Sequence, residues 1–155
     1  MIQRKQTIFL VISLLAFVSL FIAPFASFSV GTVVTCYVGI LGMQGGCEFS
    51  GFMFVIMQIL TTLFMSLVGI SIFMYKKRPL QIRLCATAFI INVFLVGTMF
   101  ITTTIFSNTF GLSKDNPMSY LFPTYIPIIT LLLVGAATRA IRKDEALTRS
   151  LNRLR

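Results

Sequence analysis

Residues 49–75 read FSGFMFVIMQILTTLFMSLVGISIFMY, 27 positions without a charge, and residues 76–79 read KKRP. A helix needs roughly 20 apolar residues to cross about 30 Å of hydrocarbon, so the run is long enough to span a bilayer. Lipid offers backbone groups no partners, which makes such a run a helix rather than a loop. Its polarity does not alternate, which argues against a barrel strand. The basic cluster marks the exit from lipid, and Pro79 suits the first turn of a second helix. Two antiparallel membrane helices joined by a tight basic corner follow.

The same pattern repeats outward from that corner. Charge-free spans occupy 6–47, 84–113 and 116–138. The sequence predicts helices at about 7–25, 50–75, 80–106 and 119–140. The fold class is therefore all-α integral membrane, a bundle of four transmembrane helices in a single membrane domain, 1–155. Of the 155 residues, 57% are hydrophobic and 11% charged, against about 25% charged in an ordinary soluble domain. That excludes a disordered chain, a soluble nucleic-acid-binding domain and a small disulfide-stapled secreted module.

Basic residues set the orientation. With both termini cytoplasmic, twelve of the 13 basic residues fall on the inner side: Arg4 and Lys5, the cluster Lys76 to Arg83, and the C-terminal segment from Arg139. Only Lys114 falls outside, with Glu48 and Asp115. The net charge of +9 is then a matter of topology and anionic headgroups, with no nucleic acid as partner. Arg4 and Lys5 before an apolar run also describe a signal peptide, with Ala23 to Ser27 as its cleavage region. A signal core is about 7–15 residues and this run is longer, so the first helix is expected to stay.

The loop at about 26–49 mixes β-favouring Val30, Val33, Val34, Tyr37, Val38 and Ile40 with glycines at 31, 39, 42, 45 and 46. That predicts a short β-hairpin or extended segment lying over the bundle. Cys36 and Cys47 lie in it, close enough for a hairpin to bridge, and make a candidate disulfide on the oxidising side of a bacterial inner membrane. Cys85 reads as a small buried hydrophobe. In the fourth helix Pro123 is near the start, whereas Pro127 is expected to kink it.

Beyond the last span the chain reads TRAIRKDEALTRSLNRLR, residues 138–155. Strong helix formers dominate. Leu147, Leu151 and Leu154 form a stripe among arginines, a basic amphipathic helix suited to anionic lipid or a partner. Arg142, Lys143, Arg149 and Arg153 are its candidate binding residues. Asp144 and Glu145 favour a protein partner, because a purely lipid-binding face gains nothing from acids.

Chemistry is scarce within the spans. The chain has no histidine, and none of its four acids lies in a span. Metal hydrolases lack their ligands, intramembrane proteases their acids and bases, and proton-coupled transporters a titratable group. No enzyme, metal or cofactor is expected. Gln58 and Asn92 are the notable intramembrane polar residues. Helical rise places them at depths about 5 Å apart on the second and third helices, which predicts a hydrogen-bonded tie between them. Thr102 to Thr104 are candidates to line a polar vestibule.

The opening Met1-Ile2-Gln3-Arg4-Lys5-Gln6-Thr7 and the closing Arg139-Ala140-Ile141-Arg142-Lys143-Asp144-Glu145-Ala146-Leu147, with Arg149-Ser150 and Arg153-Leu154-Arg155, resemble a family of small four-helix membrane proteins of Bacteroidota. That family is catalogued as a domain of unknown function. The resemblance covers the whole chain in length and layout and implies an inner-membrane protein without an assigned activity. The outer loop with its two cysteines also resembles claudin-type proteins in architecture, although tryptophan is absent. The function these features predict is a non-enzymatic adaptor or assembly factor acting through the basic cytoplasmic helix. The expected partners are membrane lipids and a cytoplasmic or membrane protein. The alternative is a small oligomeric channel or transporter lined by Gln58, Asn92 and Thr102.

Overall fold

The protein's structure, a computed structural model, describes residues 3–30, 34–45, 51–74, 77–110 and 118–153, with side chains over 7–29, 35–45, 51–74, 77–110 and 118–146. Four helices carry it: α1 (Gln3–Ile22), α2 (Phe52–Phe73), α3 (Arg78–Thr109) and α4 (Ile126–Arg153). Four short strands, β1 (Ala26–Val30), β2 (Val34–Val38), β3 (Met43–Gly45) and β4 (Ser119–Tyr120), sit in the connections.

Each helix packs on its sequence neighbours, and α1 closes the ring on α4. The reason is a one-sided buried stripe. On α2 it runs Phe54, Met57, Thr61, Phe64, Val68, Ser71, the alternating steps of three and four that place side chains on one helix face. On α3 it runs Gln81, Cys85, Ala88, Asn92, Leu95, Met99 and on to Phe106. Phe17 of α1 stacks on Phe64 of α2 with ring centroids 4.0 Å apart, and Phe54 stacks on Phe106 at 5.6 Å.

The opposite helix faces are apolar and exposed. On α1 they show Ile8, Val11, Ile12, Leu15, Val18 and Ile22. Among the described residues three helices are long and apolar enough to span a membrane: Phe52–Phe73, Arg78–Thr109 and Phe122–Ala146. The described apolar part of α1, Thr7–Ile22, is shorter.

The strands form one antiparallel sheet in the order β3-β2-β1-β4. It covers the end of the bundle where α1 and α3 finish and α2 and α4 start. Its pleat sorts the side chains: Ala26, Phe28, Cys36 and Val38 are buried, while Thr35 and Tyr37 are exposed. Ala26 pairs with Val38 and Phe28 with Cys36, so the buried set is one face of the sheet. Phe28 also meets Phe110 beyond the end of α3, at 5.2 Å. Gly45 ends β3 at φ +98°, and a Cβ there would lie 2.5 Å from the Thr35 carbonyl oxygen. Only glycine fits that position.

Three sequence expectations need correction here. Helix four does not begin near 119. Ser119–Tyr120 is strand β4, paired with Ser27 and Ala26 of β1, and a 3-10 turn over Phe122–Tyr125 follows. The sheet thus draws on two connections rather than one. The Leu121 amide donates to the Phe25 carbonyl at 2.9 Å, and the Thr124 hydroxyl donates to the same oxygen. These bonds tie the start of α4 to the exit of α1. Pro127 does not interrupt a helix interior either. It is the second residue of α4, where a missing backbone donor costs little. The first helix ends at Ile22 rather than 25, because the chain turns into β1.

Candidate functional site

The polar positions fall into three levels along the bundle. At the sheet end, Gln58 Nε2 donates to the Ile40 and Leu41 carbonyls at 3.4 Å each. It holds the β2–β3 turn onto α2. At mid-bundle, fully buried Asn92 donates through Nδ2 to Thr130 Oγ1 and to the Pro127 carbonyl, both at 3.0 Å. The predicted Gln58–Asn92 tie is therefore not formed. The depths were close, but the buried face of α3 turns Asn92 toward α4 while Gln58 looks up at the loop. The carbonyl oxygen Asn92 Oδ1 is buried with no hydrogen-bond partner among the described residues.

Thr102 does not line a vestibule. It is 1% exposed, and its hydroxyl donates back to the Thr98 carbonyl at 2.7 Å. This is the ordinary way a helix accommodates threonine in an apolar setting. Thr104 likewise bonds Phe100, and Thr103 lies 3.3 Å from the Tyr120 hydroxyl of β4. Gln58, Asn92 and Thr102 thus serve three separate contacts. A shallow groove of about 370 Å³ opens on α2 beside Gln58, Ile59, Thr62, Leu63 and Ser66. The hydroxyls of Thr62 and Ser66 bond back to the carbonyls four residues earlier.

The third level is the basic end. Ser71 Oγ lies 3.1 Å from Cys85 Sγ, and Gln81 Nε2 donates to the Ser71 carbonyl at 3.1 Å. Thr138 lies beside the same thiol, its own hydroxyl donating to the Val134 carbonyl at 2.8 Å. One small polar cluster thereby joins α2, α3 and α4. Sequence reading treated Cys85 as mere filling, because its partners lie on two other helices.

Just beyond, the Arg78 guanidinium donates to the Asp144 carbonyl at 3.2 Å. The basic corner therefore clasps the continuation of α4. Asp144 and Glu145 are half-buried, whereas Arg139, Arg142 and Lys143 are exposed. The acids share a side with Ile141, which is 1% exposed. This weakens the sequence argument that they await a protein partner, since they face this chain's own bundle. Arg149 and Arg153 lie on α4, but their side chains are outside the described residues. Cys36 is disulfide-bonded and Cys85 is free. Cys47 lies outside the described residues.

Among the described residues no three of His, Cys, Asp and Glu gather as a metal-binding group. What the arrangement presents chemically is a hydrogen-bonded frame and an outward array of cations.

The chain belongs to the DUF4293 family, a domain of unknown function whose family profile matches residues 2–154. No curated protein matches it.

Proposed function

We propose that the protein is a non-enzymatic, four-pass adaptor or assembly factor of a bacterial inner membrane, of the Bacteroidota type, with both termini in the cytoplasm. Its working surface is the outward side of the α4 continuation. One observation carries this reading. The helix α4 runs unbroken over the 28 residues Ile126–Arg153, about 42 Å by helical rise. That exceeds the roughly 30 Å of a hydrocarbon core. The excess forms a braced arm, held by Arg78 at Asp144, with exposed Arg142 and Lys143 on its outer side.

Two features support the topology. The exposed apolar face of α1 suits lipid and supports α1 as the fourth span. The exposed tyrosines Tyr37, Tyr120 and Tyr125 gather at the sheet end, as aromatic residues do at a membrane interface. The basic end then lies in the cytoplasm. The disulfide of Cys36, with Cys47 as its expected partner, faces the oxidising side.

The test is co-purification in mild detergent from the native host with quantitative mass spectrometry. The full chain is compared with Arg142→Gln/Lys143→Gln and with a chain stopped after Ala140. A stoichiometric protein lost from both variants is the expected result. An unchanged set of co-purifying proteins across all three removes the adaptor reading.

A further inference from the structure

Three cross-helix contacts fix how α3 and α4 lie against each other: Asn92 with Thr130, Cys85 with Thr138, and Arg78 with Asp144. Stepping seven residues down α3 matches six to eight residues up α4, so the helices are antiparallel in a steady register. That register sets Arg83 and Arg139 level with each other. Each stands five residues from the Arg78–Asp144 clasp, about 7.5 Å toward the sheet end by helical rise.

Both arginines are exposed, and each points away from the bundle. Arg83 lies on the side of α3 opposite Gln81, Cys85, Ala88 and Asn92. Two and three turns deeper on the same side come Ile90 and Phe94, 54% and 63% exposed. On α4, Arg139 continues the exposed side that carries Leu132, 72% exposed, and Ala136. Each guanidinium therefore ends an outward apolar stripe. No carboxylate shares their level among the described residues, since Asp144 and Glu145 sit beyond it and half-buried.

A long apolar stripe closed by a forked cation is the outline of a phospholipid: acyl chains along the stripe, phosphate on the fork. A guanidinium binds a phosphate through two parallel N–H donors. We propose that Arg83 and Arg139 are separate binding sites for the phosphate of anionic glycerophospholipids in the leaflet that holds the α2–α3 corner. The assignment rests on the membrane-spanning reading above but not on the adaptor reading. Zwitterionic lipids fit less well, because their own amine already neutralises the phosphate.

Native mass spectrometry of the full chain, released from mild detergent and titrated with phosphatidylglycerol, phosphatidylcholine or inorganic phosphate, tests this. Wild type should take up two phosphatidylglycerol molecules in preference to phosphatidylcholine. Arg83→Gln and Arg139→Gln should each weaken one site by about fivefold, and the double variant should weaken both. Arg142→Gln/Lys143→Gln should still take up two phosphatidylglycerol molecules in preference to phosphatidylcholine, so loss of the protein partner and loss of the lipid sites are separable. Uptake by the wild type should also fall as salt rises from low to high concentration, a readout independent of how the variants fold. Equal binding of phosphatidylcholine, unchanged binding by the double variant, salt-independent uptake, or loss only in the Arg142/Lys143 variant would each overturn the assignment. Competition by inorganic phosphate at the lipid's own concentration would overturn it too, in favour of a free-phosphate site.

Discussion

Asn92 and Thr130 join α3 to α4 in the middle of the bundle: the Asn92 amide donates to the Thr130 hydroxyl at 3.0 Å, and that hydroxyl donates on to the Pro127 carbonyl at 2.9 Å. The amide also reaches Pro127 directly. Three polar groups thus close on one another at the first turns of α4, with Asn92 and Thr130 fully buried.

This relationship predicts a pairwise coupling. In a double-mutant cycle of Asn92→Leu and Thr130→Val, the interaction energy should be about 0.6–2 kcal/mol. The same cycle built on Asn92→Leu and Gln58→Leu should be additive, because these two residues bond elsewhere. Unfolding of detergent-solubilised protein by sodium dodecyl sulfate, followed by circular dichroism, measures both. Coupling in the second cycle instead of the first would refute this account of the bundle.

The glycines of the sheet end and of α2 should behave oppositely. Gly45→Ala forces a Cβ against the Thr35 carbonyl at positive φ and should destabilise the protein by about 1–3 kcal/mol. Gly69 has open space around its would-be Cβ and lies within a helix, where alanine is favoured. Gly69→Ala should be neutral or slightly stabilising. Thermal melts of the two variants side by side decide it.

The disulfide of Cys36 should contribute about 2–4 kcal/mol. Reductant, or Cys36→Ser, should lower the melting temperature accordingly. Peptide mapping without reduction should recover a Cys36–Cys47 linkage. Buried Cys85 should react with maleimide only after denaturation. A chain with three reactive thiols before any reductant is added would contradict this.

The clasp between Arg78 and the Asp144 carbonyl should govern the order of the basic arm. Arg78→Ala removes a charged donor from a backbone acceptor, an interaction worth about 1.5–3 kcal/mol where solvent is excluded and less at a half-buried site. Hydrogen exchange of the amides from 142 to 153 should accelerate several-fold, while those of α2 should not change. Uniform acceleration in both regions would mean that Arg78 supports the whole bundle rather than the arm.

Four helices in outline, the basic corner at Lys76–Pro79 and the helical continuation past Arg139 were legible in the amino-acid sequence. They are one-dimensional properties: a long charge-free apolar run and the cluster that ends it are read from each side chain in turn. The outward setting of Arg142 and Lys143 was legible in part, as the polar side of an amphipathic helix. Partners were not. Gln58 and Asn92 are close in depth, yet which neighbour each meets depends on how α2 and α3 are rotated about their axes, and a single helix does not encode that. The inward turn of Asp144 and Glu145 likewise follows from the packing of α4 on the bundle. Pro127 read as a kink only because β4 and the 3-10 turn were unseen. A two-residue strand has no period of its own and exists because Ser27 and Ala26 are there to pair with it. The sequence by itself determined which segments are helical and which end is basic. The tertiary structure alone decided which polar groups meet, because hydrogen bonds need rotation, register and depth to agree at once.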